Sequence, residues 1–387
     1  DFFTPAKRFI NFMKLRASYG TVGNAEIGDY SYYSAYSTTL YNANTGLVLQ
    51  NLGDDRLSWE RTAQMNLGVT FELFNGRIGG EFDYYEKRTT DLLLPFPVSG
   101  LTGVEVVTKN VGELSNIGFD ILLNTLNIQT PDFKWETNFT FNRNRNEVVS
   151  LSEELGEGLV AAAGFFSNEL YEGYAVGVTA MVEWTGVDPA TGEDRYLDLD
   201  GNELLYSEII AEYGSFNTFF NEHRKPMGDP WPDFTGGVDN RFTYKNWYMN
   251  FLFTYAVGVE HWLGELKRTL APFGSTKVNP HHMVLDHWEK PGDDARVSAL
   301  NAQNIEWATT SEQLSRLDFL RLKEFTLGYN FRFKEQFPLN GLNVYLQFSN
   351  LLTFTKAPDY YWDPEFVGVV QSREANNFGA GTDYKTS

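Results

Sequence analysis

Residues 64–88 alternate apolar and polar side chains along two arms that meet at an Asn75-Gly76 dipeptide. Asn-Gly between two alternating runs is the strongest short-range signal for a β-hairpin. On the first arm, one face carries Met65, Leu67, Val69, Phe71 and Leu73, and the other carries Gln64, Asn66, Gly68, Thr70 and Glu72. An apolar face of this length is covered either by a protein core or by lipid, and the hairpin alone favours neither.

The same alternation recurs along the chain and predicts nine long strands. They cover residues 13–19, 61–74, 77–90, 111–126, 133–149, 234–244, 247–258, 319–333 and 342–354. Long loops and short turns alternate between them. Loops longer than about 15 residues are uncommon in compact domains, whereas transmembrane barrels combine short periplasmic turns with long extracellular loops. The pattern therefore predicts an all-β chain that forms a transmembrane antiparallel β-barrel with long extracellular loops.

In such a barrel the apolar face of each strand meets lipid and the polar face lines the lumen. The predicted lumen-facing polar residues are Glu72, Glu81, Asp83, Asp120, Glu136, Asp239, Arg241 and Arg332. Nine strands make an incomplete wall, because single-chain bacterial barrels have an even strand number and no free edge. We expect further strands before Asp1 and after Ser387. The long loops and the charged lumen favour a barrel of about 22 strands over a narrow one.

Composition excludes several other classes of protein. The 51 acidic and 31 basic residues give a net charge of −20, which argues against nucleic acid as a partner because that needs a basic footprint. There is no cysteine, so cysteine-based zinc and redox sites are excluded. No apolar run reaches the 18 residues of a transmembrane helix. A mean hydropathy of −0.35 suits a barrel as well as a soluble β-protein, because only every second strand residue meets lipid.

Several segments are similar, in the same order, to the SusC/RagA-type TonB-dependent outer-membrane transporters of Bacteroidota. They are MKLRASYGTVGN at 13–24, LSWERTAQMNLGVTFELFNGRIGGEFDYYEKRTTDLL at 57–93, KNVGELSNIGFDI at 109–121, GDPWPDFTGGVDNRFTYKNW at 228–247, LDFLRLKEFTLGYNF at 317–331 and NVYLQFSNLLTFTKAPDYYWDPE at 343–365. Each segment is modest alone, and the ordered series covers nearly the whole chain.

The resemblance implies that residues 1–387 are the C-terminal portion of a single β-barrel domain, with the N-terminal plug, the early strands and the last strand outside this chain. It implies a multi-pass outer-membrane protein whose loops lie at the cell surface. The implied function is nutrient uptake: import of glycan fragments or peptides without a cofactor. The implied partners are a SusD-like surface lipoprotein, outer-membrane lipid, and the TonB complex through a segment not in this chain. A dimer of transporter–lipoprotein pairs is also implied.

Aromatic residues in the predicted outer loops are candidates for contact with a substrate or partner, because rings stack on sugar faces and anchor protein interfaces. They are Tyr32, Tyr33, Trp184, Tyr360, Tyr361 and Trp362. Tyr30, Tyr36, Phe219 and Phe220 belong to the same clusters. These rings can instead pack the loops' own small cores or meet the partner lipoprotein, and the sequence favours these two roles over direct contact with substrate.

Two polar motifs resemble metal sites but lack the required spacing. LDLDGNE at 197–203 has Gly201 at position 4 counted from Asp198, whereas an EF-hand needs Gly at position 6 and Glu at 12. We expect a hairpin turn at Asp200-Gly201. His281, His282, Asp286 and His287 follow no helical or strand phase that brings three ligands together. No metal site is predicted.

No catalytic motif is present: the chain has no HExxH, G-x-S-x-G, P-loop or dinucleotide fingerprint. We therefore predict that the protein is not an enzyme. Two alternatives stay open, an outer-membrane barrel enzyme and a soluble β-rich carbohydrate-binding module. The sequence does not distinguish a glycan from a peptide as the substrate.

Overall fold

The computed structural model describes residues 9–25, 30–42, 44–104, 106–151, 159–160, 169–262, 282–300, 309–333, 339–358 and 363–365. Within these ranges, nine long strands form one antiparallel sheet in which each strand pairs with the next long strand along the chain. They are β1 (Ile10–Asn24), β2 (Glu60–Leu73), β3 (Ile78–Thr90), β4 (Gly112–Gln129), β5 (Phe133–Leu151), β6 (Phe234–Tyr244), β7 (Trp247–Val257), β8 (Phe319–Arg332) and β9 (Gly341–Thr355). The nine predicted strands are confirmed.

The main difference from the predicted boundaries lies in β1, which was expected over 13–19. It extends to Asn24 because the residues after Tyr19 continue the ladder with β2, up to the pair of Asn24 and Glu60. The nine strands have 11 to 19 residues each. A tilted strand of about 9–11 residues crosses a hydrocarbon core, so every strand of this sheet is long enough to do so.

Short connections join the strands at one end of the sheet. Between β2 and β3 the chain turns over residues 74–77, where Phe74, Asn75 and Gly76 have positive φ angles. Lys245 and Asn246 alone separate β6 from β7, and Tyr244 pairs directly with Trp247. A positive φ is easiest for Gly and Asn, and this explains why Asn75-Gly76 forms the turn of the hairpin between β2 and β3.

The long connections at the other end contain structure that the strand pattern did not predict. The pair Ala35–Tyr41 and Asn44–Asn51 lies between β1 and β2, and the pair Leu93–Pro97 and Val106–Asn110 lies between β3 and β4. The connection from β5 to β6 contains strands Leu159–Val160, Glu169–Leu170, Thr179–Met181, Glu183–Val187, Asp194–Leu197, Glu203–Leu205 and Lys225–Met227, with helices α1 (Tyr206–Tyr213) and α2 (Phe216–His223). Glu260–Trp262 and Leu314–Arg316 pair between β7 and β8.

No helix in the described part of the chain has the length and apolar character needed to cross a membrane.

The two longest connections pack together into one unit, which we name the loop module (described residues 169–233, 259–262, 282–300 and 309–318). The backbone N–H of Trp184 donates to Ser311 Oγ over 2.9 Å, and the Trp262 indole N–H donates to the carbonyl of Thr310 over 3.2 Å. A separate core holds the module together. Its buried members are Val182, Tyr196, Ile209, Phe216 and Phe219. The described parts of these two connections therefore form a folded layer at one end of the sheet.

The two faces of the sheet differ in chemistry, as the alternation predicted. Rings stack from strand to strand along the apolar face. The ring centroid of Phe119 lies 5.9 Å from that of Phe82 and 5.7 Å from that of Phe141, and the centroids of Phe141 and Phe234 are 5.6 Å apart. Leu15 of β1 is 77% exposed on this face. A large apolar surface without protein cover is what a lipid-facing wall requires.

A second group of aromatic rings lies on the same face near the short turns. Trp135 stacks on Phe242 with ring centroids 5.4 Å apart, and Trp247 meets Tyr329 edge-on at 4.8 Å. Aromatic girdles mark the interfaces of transmembrane barrels, where the apolar part of each ring sits in lipid and its polar atom stays near water. The apolar face is therefore bordered by such a girdle at its short-turn end.

Candidate functional site: the polar face of the sheet

A continuous row of polar residues crosses the sheet at one level. The strand register aligns Arg16 with Gly68, Gly68 with Asp83, Asp83 with Asp120, and Asp120 with Asn142. Because side chains alternate between the two faces of a sheet, residues aligned in this way share a face. We name this side the polar face.

Arg16 is the cation of this row. Its guanidinium lies 2.9 Å from Asp83 and 3.5 Å from Glu81, and it also donates to Thr70 Oγ1 over 2.9 Å. Gly68, between Arg16 and Asp83, has no side chain to separate them. A Cβ at Gly68 would lie 2.1 Å from an Asp83 carboxylate oxygen and 3.1 Å from Arg16 Nε. The glycine opens the gap through which a β1 side chain reaches β3.

The row carries more negative than positive charge. Asp83 and Asp120 lie directly opposite each other on β3 and β4, an arrangement of like charges that destabilises a sheet unless it is compensated. Arg16 compensates Asp83, and the Asn142 amide donates to Asp120. A groove of about 320 Å³ lies along this level. Its polar lining is Glu81, Asp83, Asp120, Thr140, Asn142 and Thr235.

The register places all eight predicted polar residues on the polar face. Glu136 pairs with Lys134 at 2.7 Å, and the Asn138 amide donates to Asp239 over 3.2 Å. Glu72, Arg241 and Arg332 lie closer to the short turns. The structure thus brings Glu81, Asp83 and Asp120 together in one groove. The other five lie outside it, with Arg241 directly opposite Glu136 in the strand register. That this face lines a lumen remains a prediction.

Replacing Gly68 by Val is expected to destabilise the wall by about 1–3 kcal/mol, the usual cost of overpacking, because the new side chain must displace Asp83 or Arg16. The measurement is the temperature at which the purified full-length barrel loses its compact form on an SDS gel. Gly79→Val is the control, because Gly79 lies in β3, which is paired on both sides, and the nearest atom to a Cβ there is the Phe71 carbonyl oxygen at an ordinary 3.8 Å. Equal transition temperatures for the two variants would contradict the role given to Gly68.

A second charged cluster lies at the end of the polar face nearest the long connections. Arg321 of β8 is only 4% exposed and pairs with Asp363 and with Glu365, the latter at 2.7 Å. Lys323 also pairs with Glu365 at 2.7 Å. The Lys356 N–H donates to the carbonyl of Asp318 over 3.0 Å. These contacts fasten what we name the strap (described residues 356–358 and 363–365) to the wall.

The predicted aromatic contact residues lie in different surroundings. The rings of Tyr32 and Tyr33 are 4.1 Å apart and remain 45% and 58% exposed. Trp184 packs against the core of the loop module, and its indole N–H donates to Asp194 over 3.0 Å. Phe219 is fully buried in that core. Tyr360, Tyr361 and Trp362 lie outside the described residues. Contact with substrate or partner stays a prediction for all six candidates.

Residues 6–240 match the family model described as TonB dependent receptor-like, beta-barrel. The chain belongs to the TonB-dependent receptors. This family consists of outer-membrane β-barrel proteins, and the nine-stranded sheet is one section of such a barrel wall. The predicted family and fold class are therefore confirmed.

Named relatives agree with this assignment. TonB-dependent receptor P3 of Formosa agariphila is 33% identical over 97% of this chain and 38% of its own length. TonB-dependent receptor SusC of Bacteroides thetaiotaomicron is 26% identical over 83% of this chain and 32% of its own length. The chain thus spans little more than a third of these relatives. They are named as receptors, not as enzymes.

A solved structure shares the fold of this TonB-dependent receptor chain. The structure of the RagAB peptide transporter is similar to this chain with a TM-score of 0.76 and 28% identity. The similar region covers 92% of this chain and 39% of the transporter chain. A second structure, the RagAB peptide importer in its open-open state, matches with a TM-score of 0.77 and 26% identity. The similarity extends over the loop module as well as the wall, because it covers more than nine-tenths of the chain.

The expected turn at Asp200-Gly201 is present in this receptor chain. It joins strands Asp194–Leu197 and Glu203–Leu205, and the backbone N–H of Asn202 donates to Asp198 Oδ1 over 2.7 Å. The Asn202 side-chain amide also donates to Asp198 and lowers the pKa of that carboxyl. The oxygens that a cation would need are therefore used by the turn itself.

The histidine motif shows no metal geometry among its described members. His281 lies outside the described residues, and His287 Nδ1 contacts the Val284 carbonyl at 2.8 Å. Within the described ranges, no group of three His, Asp or Glu side chains is arranged to hold a metal ion.

Three residues that matter in this geometry escaped the sequence-based prediction. Arg16 and Arg321 sit in strands whose polar phase was recognised, but their carboxylate partners lie 42 to 67 positions away. Gly68 was placed on the polar face without a role. The available signal was a glycine in an otherwise regular strand, which often marks a close approach of neighbouring groups.

Proposed function

We propose that the chain forms part of the wall of a TonB-dependent importer that takes glycan fragments or peptides across the outer membrane. The observation that carries this proposal is a nine-stranded meander with short turns at one end, long structured connections at the other, and one continuous polar face. Such a wall offers a solute a polar path on one side and a surface for lipid on the other.

In this proposal the polar face lines the lumen and the long connections lie at the cell surface. Solutes would pass the groove that contains Glu81, Asp83 and Asp120, whose excess negative charge favours neutral or cationic cargo over anionic cargo. Tyr32 and Tyr33 would meet the substrate or a partner at the outer rim, since their rings lie together, tilted by 38°, and are open to solvent. The chain would supply the C-terminal portion of a single barrel domain and would have no enzymatic activity.

The proposed partners follow from the relatives. A SusD-like surface lipoprotein would close over the loop module, and the TonB complex would act through a segment of the full-length protein outside this chain. The similarity to a peptide transporter supports peptides, and the similarity to SusC leaves glycan fragments as the second substrate class. No side chain on the polar face distinguishes the two.

The test uses the full-length protein in its native outer membrane. Extraction in mild detergent and antibody purification should yield one stoichiometric lipoprotein with a SusD-like sequence. Deleting the gene should abolish uptake of one of two fluorescent pools, oligosaccharides or oligopeptides, and a protonophore should abolish the same uptake in the parent strain. The pool that is lost identifies the substrate class.

Two results would contradict the importer. Recovery of the chain alone in the soluble fraction would support a carbohydrate-binding module instead. Hydrolysis of either pool by the purified complex, with uptake unchanged on deletion, would support a barrel enzyme.

A further inference from the structure

The apolar face ends abruptly at charged residues on the side of the long connections. On β5 the outward positions run from Phe133 to Phe141 and then change to Arg143 and Arg145. The same change occurs on the neighbouring strands. The outward charged residues beyond the apolar belt are Arg61 on β2, Glu86 and Arg88 on β3, Glu113 on β4, and Arg143, Arg145 and Glu147 on β5. We name Arg88, Arg143 and Arg145 the arginine border.

The border lies only at one end of the apolar belt. Outward arginines lie near the long connections on β2, β3 and β5, whereas the outward rings of Trp135 and Phe242 lie near the short turns of β5 and β6. From Phe133 to Phe141 the belt covers nine positions, which matches the length that spans a hydrocarbon core. Arg143 therefore stands at the level where acyl chains give way to headgroups on the long-connection side.

The guanidinium groups of the border are accessible. Arg143 is exposed and forms no ion pair among the described residues. Arg145 pairs with Glu147 at 3.0 Å but is 74% exposed, and Arg88 pairs with Glu113 while 54% exposed. The Arg145–Glu147 pair is of the exposed kind that contributes about 0–1 kcal/mol, so a competing anion can displace Glu147 from Arg145 at little cost. The Glu113 side chain is only 19% exposed and accepts two hydrogen bonds from Arg88, so Arg88 supplies positive charge to the border while it stays paired.

The positions allow several guanidinium groups to meet one headgroup. Arg143 and Arg145 are two residues apart on one face, roughly 7 Å along the strand. Arg88 lies across β4 from Glu147, at roughly 10 Å from β5. Arginine binds phosphate through two parallel N–H donors, and its long stem lets the charge reach the headgroup while its methylenes stay in apolar surroundings.

We propose that the arginine border binds the phosphate of a lipid headgroup in the outer leaflet of the membrane. The inference rests on the orientation given under the proposed function, with the long connections outside. A chain of net charge −20 repels anionic lipid in general. A local group of arginines at the headgroup level therefore provides one preferred binding position for such a lipid. The aromatic rings of Phe119 and Phe141 directly below would contact its acyl chains.

Native mass spectrometry of the delipidated full-length protein tests this site. The probes are monophosphoryl lipid A, phosphatidylglycerol and, as a zwitterionic comparison, phosphatidylcholine. Arg143→Gln/Arg145→Gln should bind lipid A at least tenfold more weakly than the unmodified protein, with phosphatidylcholine unchanged. Lys87→Gln is the matched control, because Lys87 neighbours Arg88 on β3 but points to the polar face; it should stay within twofold. Arg143→Lys/Arg145→Lys retains the charge and should keep most of the affinity.

The outcomes separate the possible sources of phosphate. Loss of lipid A binding alone identifies a site shaped for that lipid, and parallel loss of phosphatidylglycerol identifies a general phosphate site; both support the proposal. Unchanged lipid A binding in the double Gln variant, or an equal loss in Lys87→Gln, would overturn it. Binding is measured without transport, so failed uptake would contradict the importer and leave this result intact.

Discussion

Replacing Phe219 by Ala is expected to open the loop module while leaving the nine-stranded wall intact. Phe219 is fully buried and meets the rings of Tyr213 at 5.2 Å and His223 at 4.6 Å. Truncating a buried Phe costs about 3–5 kcal/mol. At 1.4 kcal/mol per tenfold change, amide hydrogen exchange in α1 and α2 should accelerate by roughly 100-fold to several thousand-fold.

Leu199→Ala is the matched control for this variant, because Leu199 belongs to the same module but its side chain is 58% exposed. Its effect should stay near the ±0.5 kcal/mol of an ordinary surface change. If exchange in α1 and α2 were unchanged in Phe219→Ala, the buried cluster would not be what holds the module together. If the wall strands also lost protection, the module and the wall would form one cooperative unit.

Neutralising the strap by Asp363→Asn/Glu365→Gln is expected to release it from the polar face. The change leaves the Arg321 guanidinium, which is 4% exposed, without a carboxylate. Removing one partner of a buried ion pair costs about 3–5 kcal/mol, and the partial exposure of both carboxylates puts the expected value near the lower end. Amide exchange in a peptide covering the strap should rise about 100-fold.

Glu183→Gln is the comparison for the strap variant. Glu183 pairs with Lys225 at 2.6 Å, but both side chains are more than one-third exposed, so its loss should cost under about 1 kcal/mol. Strap exchange that stays slow after Asp363→Asn/Glu365→Gln would show that Arg321 does not hold this segment.

Acid should loosen the strap in the same way. The hydrogen bond from Arg321 lowers the pKa of Asp363 below its ordinary value. A carboxyl with a depressed pKa in the folded state stabilises that state above its unfolded pKa of about 3.9. That contribution is lost as the pH falls through the lower folded value. Strap exchange, corrected for the intrinsic pH dependence, should therefore accelerate below about pH 4.

The strands of the wall were predictable from the sequence because the alternation that identifies a strand is visible within a few neighbouring residues. Side chains alternate every second residue, so Phe139 and Phe141 against Asn138 and Thr140 are enough to identify a strand and its phase. The loop module was not predictable in this way. Helix α2 begins at Phe216 and is capped by Ser215, whose side chain accepts from the Thr218 N–H, but a helix of eight residues leaves a weak periodic signal. Its core joins segments that are distant in the chain.

The sequence predicted which strand positions share the polar face, but it did not predict which of their side chains contact each other. Asp83 and Asp120 were predicted to share one face, as the register has them, but their direct opposition depends on the register between β3 and β4. The pairing of Arg16 with Asp83 depends in addition on the gap at Gly68. Register is set by turn geometry and burial together, and neither is visible at the position of the charged residue itself.

We expect one face of this sheet to meet lipid and the other to meet water, and a cysteine scan along β5 can measure this. The chain contains no cysteine, so single cysteines at positions 138 to 142 can carry a fluorophore once any cysteine elsewhere in the full-length protein is replaced. In vesicles with brominated lipid, labels at 139 and 141 should be quenched by lipid, and labels at 138, 140 and 142 by aqueous iodide. Quenching without this two-residue period, or with the two sets exchanged, would contradict a wall with one lipid-facing side and one water-facing side.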